Sequence, residues 1–306
     1  MSIIVNADTR VVVQGIGNQG TFHAQRNKDY GTQVVAGVHP KKGGTTWEEV
    51  GVPVFAGVAD AVAETGANTS MIMVPAPFAK DAILEAYEAG VETIVCITEG
   101  IPVHDMAFVY NTLYPRNPDG TFDKAGRPVL IGPNCPGAIS PGTTSVGIIP
   151  TDVTAPGNVG LVSRSGTLTY QIMHELHQAG IGISTCVGIG GDPIVGSDFF
   201  DVIPRFAEDP ETEAIVFVGE IGGTEEQKVG RWIADHIPDT PVVAYVAGFT
   251  APPGKQMGHA GAIVKEGGEG GETAEEKKRD LEALGISVGR NPSQTAELMI
   301  ERLRHG

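Results

Sequence analysis

What most constrains this chain is a rhythm of short, apolar, β-rich runs, each closing in a loop of glycine, proline or asparagine, with helical patterns between them. In the first half the runs are Val11 to Gln14, Gln33 to Val38, Met71 to Val74, Thr93 to Ile97 and Pro128 to Ile131. Most carry apolar residues at successive positions, as strands buried on both faces do. Strands alternating with helices predict a parallel α/β sheet. The loops Gly15 to Gly20, His39 to Gly44, Pro75 to Phe78, Thr98 to Pro102 and Gly132 to Gly137 then share its carboxyl edge, where ligands bind in open α/β sheets. The spacing also predicts a helix over Ala79 to Ala89 with Gly90 as its C-cap, and a surface loop over Asn111 to Arg127.

A second set of the same kind follows. Strands are expected at Asn158 to Val162, Ser184 to Val187, Ala214 to Val218 and Val242 to Val246. Helices are expected at Gly166 to Ala179, Glu225 to His236, Ala274 to Leu284 and Ser293 to Arg304. In the first of these, Leu168, Ile172, Leu176 and Ala179 make one apolar stripe. Prolines and glycines crowd Ser140 to Gly157, so the expected organisation is a domain over 1–140, a linker over 141–157 and a domain over 158–306. A length of 306 residues suits two domains.

Charge excludes one class of function. Lys and Arg number 21 against 37 Asp and Glu, a net charge of −16, which disfavours non-specific nucleic-acid binding. Cys96, Cys135 and Cys186 stand far apart with no CxxC pair, giving neither a zinc knuckle nor a disulfide framework. No apolar run is long enough to span a membrane, and no basic-then-apolar leader opens the sequence, so a cytoplasmic protein is expected.

Four motifs carry chemistry. Gly15 to Gly20 reads G-I-G-N-Q-G after the first strand, a turn whose amides approach a phosphate at a helix N-terminus. The second strand ends not in an acid but in His39-Pro40-Lys41-Lys42, which favours a phosphorylated ribose, as in NADP or coenzyme A. Ser163 to Thr167 (S-R-S-G-T) ends a strand and opens a helix, and reads equally as an anion site or an ordinary N-cap. His259 lies between glycines, and Glu220 ends a buried strand within G-E-I-G-G. Together they suggest an imidazole held on one nitrogen and nucleophilic on the other. His174 and His177 read as a solvated helix face, so no metal site is expected, and Lys277-Lys278-Arg279 reads as a charged helix face.

In this order the motifs closely resemble the alpha-subunit family of succinate–CoA ligase (succinyl-CoA synthetase). The likeness runs through PAPF (Pro75 to Phe78), ITEGIP (Ile97 to Pro102), IGPNCPG (Ile131 to Gly137), SRSGTLTY (Ser163 to Tyr170), VGIGGDP (Val187 to Pro193), GEIGG (Gly219 to Gly223) and GHAGAI (Gly258 to Ile263). It implies an N-terminal Rossmann-like CoA-binding domain and a flavodoxin-like ligase domain. It implies a reversible reaction of the citric acid cycle, making succinyl-CoA from succinate and CoA with cleavage of ATP or GTP. A beta subunit would hold most of the nucleotide and its Mg2+, in an αβ or α2β2 assembly. Ile16, Gly17, Asn18, Gln19, Lys42, Ile97, Thr98 and Glu99 match CoA contacts, with Pro75, Pro77 and Asn134 lining the same cleft. His259 matches the phosphorylated histidine, Glu220 its partner, Ser165, Gly166 and Thr167 the phosphate site, and Tyr170 a residue near the organic acid. The glycine loop is one residue shorter than the family pattern, and the segment Tyr114 to Lys124 is longer. Rival readings are an NADP-dependent oxidoreductase, a CoA-sensing module without activity, and a sister ligase acting on malate or a related acid.

Overall fold

The computed structural model describes residues 3–252, 254–259, 261–264 and 271–305. The first half runs β1 (Arg10–Gln14), α1 (Asn18–Tyr30), β2 (Gln33–Val38), β3 (Thr45–Trp47), β4 (Val52–Phe55), α2 (Val58–Thr65), β5 (Thr69–Ile72), α3 (Ala76–Glu88), β6 (Thr93–Cys96), α4 (Val103–Leu113) and β7 (Val129–Ile131). These strands form one seven-stranded sheet in the order β3-β4-β2-β1-β5-β6-β7, parallel except for the edge strand β3. Strand order reverses between β1 and β5, which puts the Gly15 loop and Pro75 on either side of the switch crevice.

The second sheet contains β8 (Gly137–Ser140), β9 (Thr144–Gly147), β10 (Pro156–Ser163), β11 (Ile183–Gly188), β12 (Ala214–Glu220), β13 (Val242–Ala247) and β14 (Ser287–Gly289), in the order β14-β13-β12-β10-β11-β8-β9. Its helices are α5 (Gly166–Gln178), α6 (Phe199–Glu208), α7 (Glu225–His236), α8 (Ala274–Glu282) and α9 (Pro292–His305). The five strands β10 to β14 follow the flavodoxin order, with the switch between β10 and β12. That is where Ser163 to Thr167 and Glu220 emerge.

Strand periodicity divides the core. Val11 and Val13 enter a cluster shared by both halves, while Val12 faces the opposite layer of the first half. On β12, Ile215 and Phe217 join the shared cluster and Ala214, Val216 and Val218 the far layer. All seven residues of β12 are buried, the pattern of a strand covered on both faces.

Three expectations change. Residues 141–157 are not a plain connector. β8 and β9 form an antiparallel hairpin that extends the second sheet from β11, and a short 3-10 helix covers Thr151–Val153. The surface loop after α4 begins with a buried Tyr114, whose hydroxyl donates to the Pro128 carbonyl at 2.9 Å and accepts from the Leu130 amide at 3.2 Å. Its Lys124 reaches into the second half, donating to the Gly196 carbonyl at 3.1 Å and to Asp201 at 2.5 Å. On α5, Ile172, Met173 and Leu176 are buried and Leu168 partly so, but Ala179 is exposed because the helix ends before it.

Candidate functional site

His259 and Glu220 meet. The carboxylate stands at the end of β12, on the switch edge of the sheet, and its Oε2 lies 2.6 Å from His259 Nδ1. A carboxylate at that atom holds the Nδ1–H tautomer, which leaves the Nε2 lone pair free. This hydrogen bond raises the His259 pKa above its ordinary 6.5, with burial opposing it. Arg164 lies on the other side of Glu220, its guanidinium 3.9 Å from Oε1 and paired with Glu225.

The imidazole packs closely against the main chain at Gly191. A Cβ on Gly191 would fall 2.4 Å from His259 Cδ2 and Nε2, so only glycine leaves room for the ring. The adjoining Asp192 accepts from Asn134 Nδ2 at 3.0 Å, while its other oxygen, Oδ2, is buried without a partner among the described residues. Burial pushes its carboxyl up from the usual carboxylate value, with the Asn134 hydrogen bond opposing.

His259 opens on a cleft of about 560 Å³ between the halves. Ser165, Gly166, Thr167 and Tyr170 come from the second half, and Gln19, Ile97, Thr98 and Glu99 from the first. The first amides of α5, which have no intrahelical partner, therefore open on the same space as the imidazole. Ser165 is an N-cap, accepting from the Leu168 amide at 3.4 Å, as one of the two readings of that motif expects. Burial pushes the Tyr170 phenol well above its usual value.

A run of hydrogen bonds ties the cleft walls together. Thr98 Oγ1 donates to the Val74 carbonyl at 2.6 Å, the Asn134 amide to Thr98 O at 2.9 Å, and the Gly191 amide to Asn134 O at 3.1 Å. Asn134 holds a positive φ of 54°, a conformation that asparagine tolerates better than most residues.

A second, mainly apolar cavity of about 760 Å³ lies on the far side of the glycine loop, lined by Ile16, Gly17, His39, Lys41, Pro75 and Phe78 among others. Thus Ile16, Gly17 and Pro75 face one space, and Gln19, Ile97, Thr98, Glu99 and Asn134 the other. Asn18, Lys42 and Pro77 line neither. Lys42 sits in an exposed turn, its amide donating to the His39 carbonyl at 3.0 Å, and Lys41 takes the wall position instead.

The sequence reading missed Asp192, Gly191 and Arg164 as neighbours of the pair, and it mistook Lys277. That lysine is 0% exposed and ion-paired to Glu226, not part of a solvated face. The signal was present: Ala274, Lys277 and Leu281 share one buried helical face at three- and four-residue spacing.

The comparisons give the class of protein to which this fold and cleft belong, the coenzyme A ligases. Residues 6–100 match the CoA binding domain family and residues 162–286 the CoA-ligase family. The ADP-forming succinate–CoA ligase subunit alpha 2 of Archaeoglobus fulgidus is 56% identical, over 99% of this chain and 100% of its own. The corresponding alpha subunit of Aquifex aeolicus is 54% identical, over 99% of this chain and 95% of its own. The solved ATP citrate lyase of Methanothrix soehngenii, in complex with citrate and coenzyme A, superposes with a TM-score of 0.81 at 25% identity. That match covers 98% of this chain and 51% of the lyase chain, so this chain spans about half of it. The chain belongs to the succinate–CoA ligase alpha-subunit family; it is a ligase. None of its described helices is long and apolar enough to cross a membrane.

Proposed function

We infer that this chain, with a nucleotide-binding beta subunit, joins succinate to coenzyme A at the cost of ATP, with His259 carrying the phosphoryl group. The names of its relatives support succinate and the ADP-forming direction. The observation that carries the reading is the 2.6 Å contact of His259 Nδ1 with Glu220, in the cleft onto which the amides of α5 open.

A carboxylate and a thiol do not condense unaided, because the carboxylate oxygen is a poor leaving group. Nε2 of His259 takes the terminal phosphoryl group of the nucleotide, and the nucleoside diphosphate departs. Succinate oxygen then attacks that phosphorus and frees the imidazole. The thiolate of CoA attacks the resulting acyl phosphate at carbon and expels inorganic phosphate. Two displacements at phosphorus through a histidine split one difficult transfer into easier ones. Glu220 holds the Nδ1 proton throughout. The α5 amides stabilise the phosphohistidine dianion, a helix-terminus effect of about 1–2 kcal/mol when partly buried.

The positions of the cavities support an extended CoA. Its adenosine end would take the apolar cavity beside Lys41 and Pro75, and its thiol end the cleft beside Asn134 and Tyr170, crossing the glycine loop between them. Among the described residues no group of three His, Cys, Asp or Glu side chains is placed to hold a metal ion. In this reading Mg2+, which would neutralise phosphate charge, travels with the nucleotide at the partner's site.

The test is incorporation of labelled phosphate from ATP in the co-purified complex. His259→Asn abolishes it, and Glu220→Gln slows it by about two orders of magnitude, because an amide holds the Nδ1–H tautomer poorly. CoA affinity stays at the parental value in both. Label retained on another residue of the His259→Asn chain refutes the assignment.

A further inference from the structure

Behind the imidazole's partner lies a pair of charges that solvent does not reach. The side chains of Lys277 and Glu226 are 0% and 2% exposed, and they form an ion pair. Lys277 Nζ also donates to the main-chain oxygens of Glu220 at 2.8 Å and of Gly222 at 2.7 Å. Glu226 Oε1 accepts from the main-chain amide of Glu220 at 3.1 Å. Both backbone polar groups of Glu220 are thus gripped by one ion pair.

The grip sits where the sheet gives out. On the β10 side, the β12 ladder stops at the Ser163–Val218 pair, while on the β13 side it continues to Glu220–Ala247. Glu220 therefore extends past its neighbour on one flank, and the pair from α7 and α8 takes over there. The approach is made possible at Gly219, where a Cβ would lie 2.4 Å from both Cγ and Oε1 of Glu226.

Stability alone does not account for such an arrangement. Desolvation offsets most of the attraction in a buried ion pair, and replacing both partners with apolar groups is often neutral or stabilising. What an apolar plug lacks is direction: a donor and an acceptor aimed at fixed points on the strand end.

We propose that the Lys277–Glu226 pair is a positioning device for the Glu220 carboxylate and, through it, for the Nδ1–H tautomer of His259. Neither residue touches the imidazole or the cleft. The inference rests on His259 being the phosphoryl carrier, but its geometry is readable without turnover. The charged groups that face His259 are Glu220 from β12, Arg164 after β10 and Asp192 after β11, and the test alters none of them.

The experiment follows the His259 ring by proton NMR, assigned through His259→Asn, across a pH titration of the full chain. Single-turnover phosphorylation is measured in parallel on the complex. In Lys277→Met/Glu226→Leu the His259 midpoint falls by about half a unit or more towards 6.5. Phosphorylation falls about tenfold, while CoA affinity is unchanged. Lys277→Met/Glu226→Gln, which keeps an acceptor for the Glu220 amide, recovers most of both. A parental midpoint in the apolar variant, or an equal loss in both variants, overturns the proposal. Should the apolar variant not fold, Gly219→Ala pushes Glu226 off the amide by a separate route and must lower the same midpoint; an unmoved value there also overturns it. If the parent chain takes no phosphate on His259, the carrier reading fails while the midpoints still decide the positioning.

Discussion

Replacing Gly191 with alanine tests the site by a single methyl group. Gly191 is not among the glycines of positive φ, so its backbone accepts alanine without strain. The new Cβ, however, would stand 2.4 Å from Cδ2 and Nε2 of His259 and 2.5 Å from Cγ. Non-bonded carbons settle at about 3.5–4.0 Å, so the ring must retreat by roughly 1 Å. The Nδ1 contact with Glu220 is 2.6 Å now, and a ring displaced by that much bends this hydrogen bond out of the imidazole plane and shifts Nε2 by the same amount. A misplacement of this size in a reacting group costs about 100-fold, or about 2.7 kcal/mol of activation free energy. The assay is single-turnover transfer of labelled phosphate from ATP to the complex, with CoA affinity and thermal melting as controls. Residue 191 lines neither the cleft nor the apolar cavity, so CoA affinity stays at the parental value. Transfer within about threefold of the parent would refute the reasoning, since it would mean the ring has slack that the geometry denies.

Phosphorylation rises with pH through a midpoint above 6.5, because Nε2 must be unprotonated to attack and Glu220 raises the His259 pKa; a single-turnover pH profile with its midpoint below 6.5 contradicts this. The same shift makes protonation favour folding: its contribution to stability is complete below the unfolded value of about 6.5 and is lost as pH rises through the higher folded value, which denaturant melts in the parent and His259→Asn will show. Lys277→Met alone strands a buried Glu226 carboxylate and lowers unfolding free energy by about 3–5 kcal/mol, measured in urea. Lys41→Ala weakens CoA binding about tenfold in calorimetry, as loss of one charge-assisted phosphate contact does, while Lys42→Ala leaves it near the parental value.

Much of the fold is legible in the chain because buried parallel strands must be apolar on both faces. Thus β2 and α7 fall on their expected bounds, Gln33–Val38 and Glu225–His236. The short strands β3 and β4 were not legible. Thr45–Trp47 and Val52–Phe55 are too brief and mixed to show a period, and their pairing comes from the turn between them. Nor was the hairpin β8–β9, since its prolines and glycines read as a connector although strand residues lie between them. At the site, the meeting of His259 and Glu220 was legible because Glu220 is a charged group ending an apolar run and His259 stands among glycines in the loop that follows the next strand. Lys41 and Lys42 were not distinguishable, because which of two adjacent lysines faces the cavity depends on the turn that follows His39. Lys277 was misread for a different reason. A charge within a run of charges looks solvated until the partner, Glu226, arrives from another helix 51 residues away in sequence.

The hairpin bears on how the molecule comes apart. Its strand β9 is the edge of the second sheet, yet α1 of the first half lies against it, with Asn27 Nδ2 donating to the Gly147 carbonyl at 3.2 Å and Thr32 Oγ1 to the Ser145 carbonyl at 2.8 Å. An edge that would otherwise invite pairing with another chain is thereby sealed by its own neighbour. Severing the chain after residue 140 or before 158 would leave one product with an unsheltered helix and the other with a frayed sheet, and with the core cluster shared by both halves this predicts a single calorimetric unfolding transition.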